Sequence, residues 1–203
     1  GIGMSSIAQY LHEKENIILG YDASENKSIK ILLKKGIDVI NKLSLKSIPD
    51  YMKKDDVIVV YTPAISDDNI FLKYFRKNGN NQIYKRSEML GEISKQSKCI
   101  AVAGTHGKTT TSAIISHLFH SSGIHFKAFI GGIMKCFDSN FINTGDDYII
   151  VEADEYDRSF LNLNPNYAVI TSIESDHLDI YGDLKSLVES FQSFTNNVKD
   201  VLI

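Results

Sequence analysis

Residues 104–111 read Gly104-Thr-His-Gly-Lys-Thr-Thr-Thr111, and this stretch decides how the chain around it folds. It follows the apolar run Cys99-Ile-Ala-Val-Ala103 and precedes Ser112-Ala-Ile-Ile-Ser-His-Leu-Phe119, whose apolar residues recur at helical spacing. A strand, a glycine turn and a helix N-terminus in that order surround a phosphate chain with backbone N–H groups and one lysine. The stretch therefore predicts an ATP-binding site. A Gly/Thr turn that only caps the helix is the weaker alternative.

The match to the usual phosphate-loop pattern, G-x-x-x-x-G-K-[ST], is partial because Val102 stands where the first glycine is expected. The second half of the pattern is complete. Gly107 allows close approach of the backbone, Lys108 is expected to neutralise the β- and γ-phosphates, and Thr109 is expected to offer its hydroxyl to Mg²⁺. The remaining residues of the predicted ATP-binding loop are Gly104, Thr105, His106 and Thr110.

Composition excludes several classes of protein. The chain has 203 residues, 43% of them hydrophobic, which is enough for one large core or two cores of about 100 residues each. A formal net charge of −3 gives no broad basic face, so nucleic acid is not expected as a partner. No apolar run approaches the roughly 20 residues of a membrane helix, so no membrane partner is expected either. With only Cys99 and Cys136, we expect reduced thiols and a cytoplasmic location.

Strands and helices are predicted to alternate, which indicates mostly parallel sheets with helices on both faces. The polar stretch Ser94–Lys98 is the predicted linker between an α/β unit at 1–97 and a second at 98–203. The first unit is expected to be a dinucleotide-type βαβ fold that lacks its first strand, and the second to be truncated. Strands are predicted near 17–21, 37–40, 57–61, 82–84, 99–103, 126–130, 148–153 and 167–172, and helices before Glu13, at about 25–35 and 67–78, from Ser87, after the glycine turn, and near 184–197.

Acidic residues follow the predicted strand that begins at Tyr148. Glu152 ends that strand, at the edge where parallel sheets bind ligands, and its carboxylate is predicted to hold magnesium together with Thr109. For Asp154, Glu155 and Asp157 a solvated loop is an equal alternative. His177 follows the next strand at the same edge, but a lone histidine is more often a core or surface residue than a ligand, so spacing alone leaves its role open.

The N-terminal region carries a weaker signal. Gly3, just before a predicted helix, fits the last glycine of G-x-G-x-x-G, which lets a pyrophosphate approach the helix end, although a plain loop is an equal alternative. Asp22 follows the next strand, where such folds place an acid on a ribose, but a solvated turn aspartate is equally consistent.

Taken together, these segments resemble the Mur ligase family over essentially the whole chain. The histidine inside the glycine turn narrows the resemblance to the member that adds L-alanine and the member that recycles peptides. The stretches that carry the resemblance are Gly1-Ile-Gly-Met-Ser5, Tyr61-Thr-Pro-Ala-Ile65, Arg86-Ser-Glu-Met-Leu90, Gly104–Thr111, Glu152-Ala-Asp-Glu155 and Glu174-Ser-Asp-His177-Leu-Asp179.

The resemblance implies a three-domain enzyme, of which 1–97 would be the Rossmann-like UDP-sugar-binding domain and 98–203 part of a P-loop-type ATP-binding domain. The third domain would be absent. It implies that Lys108 contacts the phosphates, that Thr109 and Glu152 hold one Mg²⁺, and that Glu152 and His177 hold a second. Catalytic roles thus fall to Lys108, Glu152 and His177. The implied residues for the UDP-sugar substrate are Gly3, Met4, Ser5, Asp22, Thr62, Ala64 and Ile65.

The activity implied by the resemblance is ATP-dependent ligation of L-alanine to the carboxylate of UDP-N-acetylmuramate through an acyl phosphate, in peptidoglycan precursor synthesis. These residues alone are expected to be inactive. Tyr156 departs from the serine common at that place in the L-alanine-adding member, so the peptide-recycling ligase is an alternative. A nucleotide-binding module without catalysis is another.

Overall fold

Helices and strands alternate through the chain, and the sheets are mostly parallel, which confirms the predicted α/β class. The computed structural model describes residues 1–54, 56–78, 82–175 and 178–203, without the side chains of 178 and 179. The described chain divides into two units, Gly1–Met89 and Leu90–Ile203. The division falls inside a helix, Arg86–Ser94, ahead of the polar stretch predicted as a linker.

The first unit contains two short parallel strand pairs, β1 with β2 and β3 with β4. Asparagine side chains cap two of its helices: Asn26 accepts from the Ile29 N–H, and Asn69 accepts from those of Phe71 and Leu72. The elements are α1 (Ile2–Glu13), β1 (Leu19–Tyr21), α2 (Lys27–Lys34), β2 (Asp38–Ile40), β3 (Ile58–Tyr61), α3 (Ile70–Lys77), β4 (Gln82–Lys85) and α4 (Arg86–Ser94), which crosses into the second unit, and two 3₁₀ turns lie at Leu45–Ser47 and Asp50–Met52.

The second unit is built on one six-stranded sheet with the strand order β10-β9-β5-β8-β6-β7. All its neighbouring strands are parallel except the antiparallel pair β6 and β7. The elements are β5 (Lys98–Ala103), α5 (Lys108–Ser121), β6 (Phe126–Met134), β7 (Ser139–Asn143), β8 (Tyr148–Glu152), β9 (Tyr167–Ile170), α6 (Leu178–Tyr181), α7 (Leu184–Thr195) and β10 (Val201–Leu202), and a 3₁₀ segment lies at Tyr156–Asn162.

Strands β5 and β8 form the centre of this sheet. The residues 99–103 of β5 and 149–151 of β8 are all buried. Such continuous apolar runs are typical of parallel strands that are covered on both faces, and for this reason both strands were predictable. Their carboxyl ends emerge side by side, since Val102 pairs with Glu152.

Helix α5 packs on the sheet differently from its predicted apolar face. Ile115 and Phe119 contact the core of the second unit, but Ile114 and Leu118 are exposed. The fully buried residues of α5 are Ser112 and Ser116. Small side chains at these positions let the helix backbone lie close to the sheet. The spacing of apolar residues does not predict this close approach at the serines. The helix ends at Ser121, and Gly123 follows its C-cap with a φ of +69°.

Strand β7 was not predicted from the sequence. It forms a hairpin with β6, whose pairing shifts register between Phe129 and Met134. An antiparallel edge strand of five residues has little local signal, because the sequence Ser139-Asn-Phe-Ile-Asn143 is polar at both ends. Among the described residues, no helix has the length and apolar character needed to cross a membrane.

The two cysteines give a direct test of this fold. Both are free; Cys99 lies in β5 at 1% exposure, and Cys136 is exposed. Burial raises the pKa of the Cys99 thiol to about 12. Because the thiolate is the reactive form, we expect a thiol reagent to modify Cys136 in the native protein and Cys99 only after unfolding, as read by mass spectrometry. Equal labelling rates for the two thiols would contradict the buried position of β5.

Candidate nucleotide-binding site

The turn between β5 and α5 depends on two glycines with left-handed backbone geometry. Gly104 has a φ of +126° and Gly107 a φ of +83°. A Cβ atom added to Gly104 would lie 2.2 Å from the Thr171 hydroxyl oxygen. The turn is therefore built for close contact with the segment that follows β9.

That segment, Thr171–Glu174, holds the turn by hydrogen bonds. The Thr105 N–H donates to the Ser172 carbonyl at 2.9 Å, and the His106 N–H donates to the Ser172 hydroxyl at 3.1 Å. The Glu174 N–H donates to the Thr105 hydroxyl at 2.9 Å. The sequence indicated a polar strand end here but assigned these residues no role; the support becomes visible only once β9 lies next to β5.

The N-terminus of α5 faces the same edge of the sheet. Its N-cap is Gly107, and none of the side chains that the structure describes caps it. The first N–H groups of a helix have no acceptor within the helix, and here they belong to Lys108, Thr109 and Thr110. Together with the helix dipole they favour an anion such as a phosphate at this end.

Lys108 is held at this helix end by a backbone carbonyl and a carboxylate. Its ammonium donates to the Gly104 carbonyl at 2.6 Å and to the two carboxylate oxygens of Glu155 at 2.9 and 2.7 Å. Glu155 is 1% exposed. The solvated-loop alternative is thus wrong for Glu155, while Asp157 is exposed and Asp154 half-buried. A partner for Lys108 was not recognised from the sequence, although Glu155 lies in the quoted acidic stretch.

Glu152 and Thr109 meet beside Lys108. The Thr109 hydroxyl donates to Glu152 Oε2 at 3.0 Å, and the Gly131 N–H donates to Glu152 Oε1 at 2.7 Å. Burial raises the pKa of the Glu152 carboxyl, and these two hydrogen bonds partly oppose that rise. The two side chains predicted to share a magnesium ion are therefore neighbours.

Two glycines of β6 make room for this pair. A Cβ at Gly131 would lie 2.6 Å from Glu152 Oε2, and a Cβ at Gly132 would lie 2.9 Å from Thr109 Cγ2. The local sequence predicts no role for these glycines. The available signal was a Gly-Gly pair inside a strand, which marks close approach of another group.

His177, the third residue predicted to bind metal, lies outside the described residues, as does Asp176. Across residues 1–54, 56–78, 82–175 and 178–203, no three His, Cys, Asp or Glu side chains form a metal-binding group. Metal binding by Thr109, Glu152 and His177 stays a prediction.

In the first unit, four of the predicted substrate residues, Gly3, Met4, Ser5 and Asp22, lie at or beside the start of α1. Gly3 and Met4 lie in its first turn, beside the end of β1, where Asp22 contacts the Gly1 amino group at 2.7 Å. Ser5 is buried, and its hydroxyl donates to the Ile2 carbonyl at 2.8 Å within the helix. Its side chain is thus used within the helix.

The other predicted substrate residues follow β3. The Thr62 hydroxyl accepts from the Ala64 N–H at 3.1 Å, and the Ile65 N–H donates to the Thr62 carbonyl at 2.9 Å, so that these residues form a tight turn. A residue without a predicted role, Arg86, lies beside α1: a Cβ at Gly3 would be 3.1 Å from its guanidinium.

A glycine turn, a lysine and a threonine at a helix N-terminus, with a carboxylate from the neighbouring strand, define an α/β protein of the phosphate-loop type. Comparison with known proteins identifies the family. Residues 102–203 match the Mur ligase middle domain, and residues 1–98 match the Mur ligase family, catalytic domain. The chain belongs to the Mur ligase family, as the resemblance predicted.

Individual relatives agree with this assignment. The UDP-N-acetylmuramate–L-alanine ligase of Christiangramia forsetii is 44% identical over 202 residues, which are 98% of this chain and 44% of that protein. The structure of a UDP-N-acetylmuramate-alanine ligase from Thermotoga maritima has a TM-score of 0.88 at 30% identity and covers 99% of this chain and 46% of its own. The chain spans less than half the length of the curated relatives it matches.

A second type of ligase is also similar. The UDP-N-acetylmuramate:L-alanyl-gamma-D-glutamyl-meso-diaminopimelate ligase of Neisseria meningitides has a TM-score of 0.85 at 25% identity. The match covers 98% of this chain and 65% of that one.

The glycine at position 131 allows a test of the site geometry. We expect Gly131→Ala to push the Glu152 carboxylate away from Thr109 at a cost of about 1 kcal/mol, because the added methyl meets the far end of a side chain that can move. A crystal structure of the variant would give the distance between Thr109 Oγ1 and Glu152 Oε2, and denaturant unfolding the stability.

Gly123→Ala is the matched control. An added methyl at this position meets nothing within 4 Å, although the φ of +69° makes the substitution strained, at a cost of roughly 1–2 kcal/mol. It should therefore lose stability without moving Glu152. An unchanged distance in the Gly131 variant would show that the glycine does not shape the site.

Proposed function

We propose that this chain is the nucleotide-binding part of an ATP-dependent ligase that joins L-alanine to the carboxylate of UDP-N-acetylmuramate. The observation that carries the proposal is the convergence of Lys108, Thr109 and Glu152 at the N-terminus of α5. The choice of substrates follows the names of the relatives, which are UDP-N-acetylmuramate–L-alanine ligases. Residues 1–97 would bind the UDP-sugar and 98–203 ATP, and a cytoplasmic location belongs to the same proposal.

The proposed chemistry has two steps. An oxygen of the lactyl carboxylate attacks the γ-phosphorus of ATP, the bond from that phosphorus to ADP breaks, and an acyl phosphate forms. The amine of L-alanine then attacks the acyl carbon, phosphate leaves, and the amine gives up a proton. Both reactants of the first step are anionic, so the site must neutralise negative charge where the phosphoryl group is transferred.

The residues of the second unit are suited to this task. Lys108 brings a positive charge next to the free N–H groups of α5, and together they would bind the β- and γ-phosphates. This stabilisation is electrostatic, because no side chain needs to form a covalent bond with the substrate.

Magnesium fits the donors present at this edge. The Thr109 hydroxyl and the Glu152 carboxylate are oxygen ligands of the kind that Mg²⁺ prefers, and they lie 3.0 Å apart. A cation would also stabilise the charged form of Glu152, which burial disfavours. We propose Thr109 and Glu152 as ligands of one Mg²⁺, with Glu152 and His177 as ligands of a second; bound there, the metal would neutralise phosphate charge.

The first unit would bind the UDP-sugar at the start of α1. The Gly3 and Met4 N–H groups lie in the first helical turn and suit a diphosphate, and the Arg86 guanidinium nearby would add positive charge. The Ser5 N–H already donates to the Gly1 carbonyl at 3.1 Å, so Ser5 would support the turn. Asp22 and the turn of Thr62, Ala64 and Ile65 complete the proposed substrate residues.

A peptide-recycling ligase is the second candidate. Tyr156 and the structural similarity to the Neisseria enzyme favour it. Against it stands the higher identity to the L-alanine ligase among the solved structures, 30% compared with 25%. The first step is common to both candidates, so they differ in the amine that is accepted.

Magnesium binding can be tested on this chain. We expect Glu152→Gln and His177→Ala each to raise the Mg²⁺ concentration that half-saturates binding of a non-hydrolysable ATP analogue by roughly tenfold or more. Calorimetric titrations at several Mg²⁺ concentrations measure this. Asp157→Asn, which neutralises an exposed acid of the same segment, is the control and should leave the Mg²⁺ dependence unchanged. If the half-saturating Mg²⁺ concentration is the same in the parent and in all three variants, the metal assignment is rejected.

The activity itself is tested in the complete protein. With UDP-N-acetylmuramate and ATP present, L-alanine should give one phosphate per amide bond formed, and a tripeptide amine should give none. Lys108→Ala should abolish turnover, because charge at the transfer point is no longer neutralised. If phosphate is released with the tripeptide but not with L-alanine, the recycling ligase is favoured. If neither amine leads to phosphate release, both candidates are rejected.

A further inference from the structure

The contact between Lys108 and Glu155 goes beyond what phosphate binding requires. Besides the carbonyl of Gly104 and both oxygens of Glu155, the Lys108 ammonium reaches the Thr105 carbonyl at 3.3 Å. The lysine is 17% exposed in its side chain and the glutamate 1%. A buried carboxylate is costly unless it is paired and hydrogen-bonded, so this pair constrains both partners.

Glu155 is itself fixed from two sides. Its carbonyl accepts from the Arg158 N–H at 2.9 Å and from the Tyr181 hydroxyl at 2.5 Å, which ties it to the end of α6. Asp157 and Arg158 adopt left-handed φ values of +52° and +53°. Two consecutive non-glycine residues in this conformation persist only where the surrounding structure holds them.

The same segment is anchored in the core by Phe160. Its ring stacks on Phe194 with centroids 5.0 Å apart and meets Phe191 edge-on at 5.1 Å. Both partners lie on α7. The carboxylate that holds Lys108 is thus supported by packed helices on its far side and cannot move without disturbing them.

We propose that Glu155 is a positioning residue for Lys108. It holds the ammonium at the N-terminus of α5 before nucleotide arrives, so that a flexible four-carbon side chain need not be ordered on binding. This inference rests on the proposed function, in which Lys108 binds the β- and γ-phosphates. Immobilising a side chain with many rotamers weakens binding, and pre-ordering removes that cost.

A double-mutant cycle tests the proposal on this chain. Affinity for a non-hydrolysable ATP analogue with Mg²⁺ is measured by calorimetry for the parent, Glu155→Gln, Lys108→Ala and the double variant. We expect Glu155→Gln to weaken binding by about tenfold, because the neutral amide no longer fixes the ammonium. In the Lys108→Ala background the same change should alter affinity by less than about twofold, because no ammonium is left to position.

Asp157→Asn is the matched control. It removes one negative charge from an exposed residue two positions away, and asparagine tolerates the left-handed backbone there. Its affinity should equal that of the parent. If Glu155→Gln fails to fold, Glu155→Asp replaces it in the cycle. Aspartate keeps the negative charge but places it one methylene further from Lys108. The loss of affinity that Glu155→Asp causes should likewise disappear in the Lys108→Ala background.

The outcomes separate the possibilities. Tighter binding by Glu155→Gln would show that the glutamate competes with phosphate for Lys108, and equal losses with and without Lys108 would show a general structural role; either result overturns the positioning role. If Lys108→Ala binds the nucleotide as well as the parent, the proposed nucleotide site itself is wrong. If Lys108→Ala binds weakly but Glu155→Gln binds normally, only the positioning role fails.

Discussion

The second unit depends on one constraint: the backbone leaving β5 must turn into α5 while touching the ends of the strands on both sides. On one side, Thr171 and Ser172 bind the turn, and on the other, Glu152 reaches Thr109. Gly104 satisfies the first contact, because a side chain there would collide with Thr171. The strand order, with β5 between β9 and β8, brings these groups to one edge. In open parallel sheets this edge is where ligands bind.

The charges at this edge are only partly compensated within the protein. Lys108 and Glu155 form a pair with low exposure, whereas Glu152 is held by two neutral donors, Gly131 and Thr109. Burial of Glu152 is therefore less well offset, and its pKa is raised. A carboxylate in this state gains more from a cation than one already paired with lysine. The difference between the two glutamates is what favours Glu152 over Glu155 as the proposed magnesium ligand.

The sequence predicts those features of the fold that local stretches determine. The apolar run of β5 leads directly into the glycine turn, and that of β8 leads directly into Glu152, so the fold class could be predicted. The approach of Glu152 to Thr109, 43 positions away, could be predicted because the carboxyl ends of parallel strands share one edge of the sheet. The sequence does not reveal those contacts between distant segments that a shared sheet edge alone leaves unspecified. Glu155 is 47 positions from Lys108. Gly131 is 21 positions from Glu152, and Thr105 is 69 positions from Glu174. Such pairs follow from sheet order, which no single stretch of sequence reveals. Helix α5 shows the same limit, because its serines rather than its isoleucines face the sheet most closely.

The pairing of Lys108 with Glu155 also affects the charge balance of the proposed reaction. Its positive charge is balanced by a carboxylate 2.7 Å away, so the net charge that it presents to a triphosphate is smaller than that of a free lysine. In the proposed reaction, the remaining negative charge of the nucleotide and of the attacking carboxylate would be met by the N–H groups of α5 and by the metal proposed at Thr109 and Glu152. Lys108 would thus share the neutralisation of the phosphates with the helix N-terminus and a divalent cation, and each of the three would be needed.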